Sequence, residues 1–243
     1  FWGAPLIARE LEHGTHRLVW TQSVTRRRWV VSKLSIIGGS ALAFSAILAV
    51  LVNWWSEPLA KTGWDRFGPG IFDLRGFVPI AYTMFAVALG AAIGTLTRKT
   101  LPALFATLAV FGAVRIAVIL FLREHYMAAK RVVYAFNADA PARARGDWIL
   151  SQETVDGAGK VVSEFGGLNY EYISRFCPDA VGAGGFPDKG AIIDCAQNGG
   201  LRTVELYHPA DRFWTFQAIE AAIFVALTAL LVVFIVRRVR RLS

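Results

Sequence analysis

Four long apolar runs alternate with charged segments along this chain: Leu34 to Trp54, Phe77 to Thr97, Leu101 to Leu122 and Phe213 to Val236. A helix of about twenty apolar residues spans the hydrocarbon core of a bilayer, and soluble domains do not carry four such runs. The pattern predicts an all-α membrane protein, a helical transmembrane bundle with four spans. Residues 1–33 precede the first span, 55–76 form a loop, 98–100 a short turn and 123–212 a polar domain, and 237–243 form a tail.

Charge orients these spans. The chain has 243 residues and a formal net charge of +8, which in a soluble protein would suggest a polyanionic partner. Here the basic residues gather beside the spans: Arg26, Arg27, Arg28 and Lys33 before the first, Arg98 and Lys99 between the second and third, and Arg237, Arg238, Arg240 and Arg241 after the last. With four crossings all three clusters fall on one side, which the positive-inside rule makes cytoplasmic. The loop 55–76 and the domain 123–212 are then external. Phosphate-binding patches are the other reading of the same clusters, and no nucleic-acid partner is expected.

Inside the external domain, Trp148 to Val155, Asp156 to Gly159 and Lys160 to Ser163 read as strand, turn and strand. Glycine-rich stretches at Gly182 to Gly190 and Gly199-Gly200 predict irregular structure, so the expectation is a small α+β or irregular domain. Cys177 and Cys195 are the only cysteines. In an oxidising compartment they predict a disulfide rather than a metal site or a nucleophile, formed within the chain or between two copies.

Polar and small residues inside the spans carry the next signal. Arg115 and Glu220 are ionisable groups within apolar runs, and such groups are costly unless they face protein, a partner or water. Each lies seven residues from the external end of its span, roughly 10 Å at helical rise. They are expected to meet, as a pair fixing helix register, as a polar lining of a path, or as both. Gly90 and Gly94 share one face of the second span, where a neighbouring backbone can approach.

The segment Ala8 to Lys33 reads as two short helical pieces and an entry elbow. Gly14 suits the left-handed residue ending a helix, Thr15 the cap of another, and Ser23 or Thr25 the cap of the entering helix. Leu11, Leu18 and Trp20 would lie on the membrane face, with Glu10, Glu12, His13, His16 and Arg17 in water. An ordinary amphipathic linker fits the same spacing. No catalytic constellation is present: the four histidines are dispersed, His13 and His16 lack a third metal ligand, and no phosphate-cradling loop of the nucleotide-hydrolase type occurs.

Phe1 to Thr15, followed by Leu18, Ser23 to Arg26 and Lys33, resembles the segment after the second span of type 2 ATP-binding-cassette (ABC) permeases, with the actinobacterial branch most similar. Tyr207 to Glu220 resembles the entry to the last span in that branch. The family's usual proline near Ser23 is absent. The resemblance implies two further spans before Phe1, six in all, and a coupling helix at Glu10, Glu12, Gly14, Thr15 and Arg17 that touches a separate ABC ATPase subunit. It further implies a second permease copy or a relative, ATP and Mg bound only by the partner subunit, and no cofactor or catalysis on this chain. An exporter of amphipathic or lipid-like molecules in a bacterial cell membrane, surrounded by membrane lipid, is the expected function. A membrane-anchored external binding or sensor module is the rival.

Overall fold

A computed structural model describes residues 3–14, 25–60, 66–139, 146–181 and 188–240. The chain forms two compact units. The first joins the long helices with residues up to Tyr126, and the second comprises Gly63–Phe67 and Met127–Arg212.

In the first unit, α1 (Gly3–Glu12) is followed by α2 (Arg26–Ala60), α3 (Pro69–Leu74), α4 (Val78–Thr97) and α5 (Thr100–Ala117). The third span continues beyond α5 through a π turn, Val118–Leu122, and a 3-10 turn, Arg123–His125. The last helix, α8, covers Phe213–Arg240. Four helices are long and apolar enough to cross a membrane: Arg26–Pro58, Val78–Thr97, Thr100–His125 and Ala210–Arg240. All four expected spans are present, and three are longer than their apolar cores. Arginine and serine continue a helix at little cost, so charge bounds the apolar run and not the helix. Thus α2 starts at Arg26, where the Thr25 hydroxyl accepts from the Arg28 amide at 3.3 Å. Between α4 and α5, Arg98 takes the left-handed conformation (φ 53°) and donates to the Gly94 carbonyl at 3.1 Å. That closes the turn in two residues.

Helix α4 is the centre of this unit. Its hydrophobic window is 56% buried, against 11% for the third span and 22% for the first and last. One side of it receives α1. A Cβ on Gly90 would stand 2.6 Å from the Ala4 nitrogen, and one on Gly94 2.8 Å from the Ala4 carbonyl oxygen. From the other side, Gly3 has no room for a Cβ against the Val87 carbonyl. Small residues on both helices let two backbones touch, which is how helices associate where lipid removes the hydrophobic drive. Ile7 of α1 then joins Trp29, Val30, Ala91, Ala92, Ile235 and Val239 in a cluster that ties α1, α2, α4 and α8 together.

This packing changes the reading of the first residues. The first expected helical piece does not start at Ala8 but continues one helix that begins at Gly3, and Ala4, Ile7 and Ala8 are buried in the bundle. The second expected piece, with Thr15, His16, Arg17, Leu18, Trp20 and Ser23, lies outside the described residues. The loop 55–76 also holds the end of α2 and the short helix α3.

The second unit is a four-stranded antiparallel sheet in the order β1-β4-β2-β3, from β1 (Lys130–Ala135), β2 (Trp148–Val155), β3 (Val161–Ser163) and β4 (Arg202–His208). The expected hairpin is β2 and β3; Asp156 accepts from the Ala158 and Lys160 amides, both at 2.9 Å, and Gly159 supplies φ 84°. Two helices accompany the sheet, α6 (Tyr170–Phe176), capped by Asn169, and α7 (Lys189–Asn198), capped by Asp188. Of the irregular stretch expected from Gly182 to Gly190, residues 182–187 lie outside the described residues; Gly190 is inside the first turn of α7, which ends before Gly199-Gly200. Cys177 and Cys195 are bonded, joining the end of α6 to α7 across 18 residues. Closing a loop of that size stabilises the unit by about 3 kcal/mol in the chain-entropy account. The indole of Trp148 stacks on Phe67, with ring centroids 5.5 Å apart.

Candidate functional site

Asp73 of α3, Arg115 of α5, Arg123 of the following 3-10 turn and Glu220 of α8 form a buried ring of alternating charge. Arg115 Nη1 donates to Glu220 Oε1 at 2.8 Å and Nη2 approaches Asp73 Oδ2 at 2.5 Å. Arg123 Nη2 donates to Asp73 Oδ1 at 2.6 Å and to Glu220 Oε1 at 2.9 Å, and its Nε donates to Glu220 Oε2 at 3.0 Å. Tyr82 donates to Glu220 Oε1, and Tyr126 donates to Oε2 at 3.2 Å. Two cations and two anions cancel, so the ring is neutral as a whole. The arrangement offsets the desolvation that would make any one of these charges unfavourable here.

Aromatic faces complete the enclosure. The Arg115 guanidinium carbon lies 3.7 Å from the centroid of the Tyr82 ring, and that of Arg123 lies 4.1 Å from the centroid of Phe72. Tyr82 and Phe85 of α4 pack against Phe224 of α8, with centroids at 4.8 and 5.2 Å. Such contacts retain a desolvated guanidinium where water is excluded.

The two carboxylates differ. Glu220 is fully buried, with four partner residues' donors on its two oxygens, whereas the Asp73 side chain is 21% exposed. Glu220 is the anchor of the ring and Asp73 its accessible member. Arg123 Nη1 is buried and has no hydrogen-bond partner among the described residues. Asp73 owes its place to Gln217 and Asn53. Gln217 Oε1 accepts from the Phe77 and Val78 amides at 3.2 and 3.0 Å, and its Nε2 donates to the Phe72 carbonyl at 2.9 Å. Asn53 exchanges bonds with the Gly76 amide and carbonyl at 2.8 and 3.0 Å. Gly76 is left-handed (φ 76°) and faces the Gln217 amide too closely for a Cβ. Two side chains from separate spans thereby fix the turn between α3 and α4.

At the opposite end of α4, α1 is strapped to two spans. Glu10 pairs with Lys33 of α2. Glu12 accepts from the Thr100 amide at 2.9 Å and from its hydroxyl at 2.7 Å, which caps the first turn of α5. Those Thr100 bonds, the hydroxyl first, hold the Glu12 carboxyl below the usual carboxylate range. Both glutamates expected to face water and a partner are thus bonded within the chain, although Glu12 stays exposed. Gly14 takes the expected left-handed conformation, φ 70°.

The expected meeting of Arg115 and Glu220 is therefore present in the geometry, enlarged by Asp73, Arg123, Tyr82 and Tyr126. Arg123 was placed at the start of the external domain; its side chain is 1% exposed and its backbone belongs with the helices. Among the described residues no group of three or more His, Cys, Asp or Glu is placed to hold a metal ion.

The family model described as ABC-2 membrane transporter related matches residues 1–123, half of the chain. This chain belongs to that family. It is a permease component of an ABC transporter, a part that carries transport through the membrane. No curated protein and no solved structure matches it. The match covers α1, the first three spans, Asp73, Arg115 and Arg123, so three of the four charges of the ring lie within the family region of the permease.

Proposed function

We propose that the permease is the membrane-spanning subunit of an exporter of amphipathic or lipid-like small molecules, driven by a separate ATPase subunit. The supporting observation is the family match through α1 and the elbow that follows it. The ATPase docks at residues 10–17, whose described part is Glu10 to Gly14, and ATP with Mg binds to that subunit alone. The permease works with a second copy or a relative in a bacterial cell membrane, its basic ends cytoplasmic and residues 127–212 external.

Coupling follows from the straps on α1. A push on the end of α1 is transmitted to α2 through Glu10 and Lys33, to α5 through Glu12 and Thr100, and to α4 through the glycine crossing. Tightly packed contacts of this kind pass a rigid displacement on without absorbing it. The opposite end of the helices is held by the charge ring, so motion imposed at one end works against a defined latch at the other. Apolar faces on α2 and α5 suit lipid and an amphipathic cargo.

Affinity purification of the full-length protein in a mild detergent tests this reading. An ATPase subunit carrying a phosphate-binding loop is expected in stoichiometric amount. Repeated purification of the permease without one, with intact helical content, favours the anchored external module instead.

A further inference from the structure

Beside the charge ring lies a cleft of ≈ 360 Å³ whose lining includes Phe44, Tyr82, Ala86, Val87 and Phe111. Tyr82 belongs to both places: its ring lines the cleft and stacks on Arg115, while its hydroxyl bonds Glu220. Phe111 stands one helical turn before Arg115 on the same face of α5. An apolar surface therefore reaches Tyr82, the residue on whose ring Arg115 is stacked.

Those arginines are held on one side by a buried anchor and on the other by a replaceable partner. Glu220 is enclosed and satisfied from four side chains, but Asp73 is partly exposed and sits on the six-residue helix α3, next to left-handed Gly76. Arg123 Nη1 adds a buried donor with no acceptor among the described residues, which a carboxylate with two oxygens has not filled. A group with three acceptor oxygens, such as a phosphate monoester, could occupy the position of Asp73 and also satisfy Nη1.

We propose that Asp73 is a tethered stand-in for the anionic head of a single-chain amphiphile, which displaces it from Arg115 and Arg123 while its tail lies in the cleft beside Tyr82. The proposal rests on the transport reading and specifies its substrate class: an amphiphile carrying a phosphate or similar oxyanion. A singly charged head replaces the Asp73 charge one for one, and a phosphate dianion adds up to one further negative charge opposite the two arginines. Displacement also cuts the side-chain tie between α3 and the two arginines, so binding of cargo and release of that tie are one event.

The test uses the full-length protein in a neutral maltoside detergent, probed with dodecyl phosphate, dodecanol and inorganic phosphate. Dodecyl phosphate is expected to raise the unfolding midpoint and to bind saturably, while dodecanol and inorganic phosphate do neither. Asp73→Asn removes the competing anion and should tighten dodecyl phosphate binding about tenfold, the worth of one charge-assisted contact. Ala86→Trp, which fills the cleft one turn along α4 from Tyr82, should abolish it. Equal responses to dodecanol, a full response to inorganic phosphate, binding unaffected by either substitution, or no binding to wild type and Asp73→Asn alike would each overturn the proposal. If an ATPase nonetheless co-purifies, transport stands and only this substrate class falls.

Discussion

Single charges decide the energetics of the ring. Removing Arg115 alone leaves Asp73 and Glu220 facing Arg123, a net negative charge in a largely buried site. Removing Glu220 alone leaves two arginines facing Asp73. Each change should cost about 3–5 kcal/mol, the usual penalty for an uncompensated buried charge. Arg115→Leu with Glu220→Leu leaves the neutral pair of Arg123 and Asp73, so the double variant should fold better than the sum of the two losses predicts. Folded yield in detergent across the cycle measures this; strictly additive losses would contradict the ring. Arg115 and Glu220 are legible in the sequence because each is a lone ionisable residue in an apolar run. Asp73 and Arg123 are not, since they stand beside Arg75 and beside Glu124 and His125, where charge at a span's end is ordinary. Tyr82 and Tyr126 carry no charge at all and resemble interfacial aromatics.

Among the elements, α1 departs most from expectation. Its amphipathic pattern marks Glu10 and Glu12 as polar positions but says nothing of what covers Ala4 and Ala8. The answer lies in Gly90 and Gly94, whose spacing announces a close helix crossing without naming the partner helix. Since the Ala4 backbone is 2.6 Å from where a Cβ on Gly90 would stand, even Gly90→Ala must push the helices apart. A loss of about 1–3 kcal/mol is expected from such overpacking. Gly112, on α5 with open space around it, should accept alanine at no cost. Comparing thermal unfolding of the two variants in detergent checks this, and equal midpoints would place the α1 contact elsewhere. The spans themselves were readable from length and lack of charge. In the second unit β1 and β4 were not: Lys130–Ala135 is short and begins with two cations, and Arg202–His208 merges into the approach to the last span. A partner strand, not its own pattern, makes each of them a strand.

At the scale of the molecule, α1 and the charge ring act on the same central helix from its two ends. Glu10 and Glu12 bind α1 to α2 and α5 at one end, and Tyr82 with Gln217 binds α4 to α8 and α3 at the other. On the docking proposed above, this arrangement would convert a push at α1 into strain at a latch on the far side, with α4 as the rigid link. Stability and coupling then depend on the same contacts but in different ways. A strap can be cut without unfolding the bundle, because Ile7 and the glycine crossing still hold α1 in place.

Hydrolysis of ATP by the purified complex, measured with Glu10→Lys, Lys33→Glu and the two together, tests that coupling most directly. The account predicts that each single reversal lowers substrate-stimulated hydrolysis about tenfold while the ATPase remains bound, and that the double reversal, which restores an ion pair at the same place, recovers most of it. Hydrolysis unchanged in all three variants, or a double reversal no better than the worse single one, would contradict the claim that α1 drives the spans.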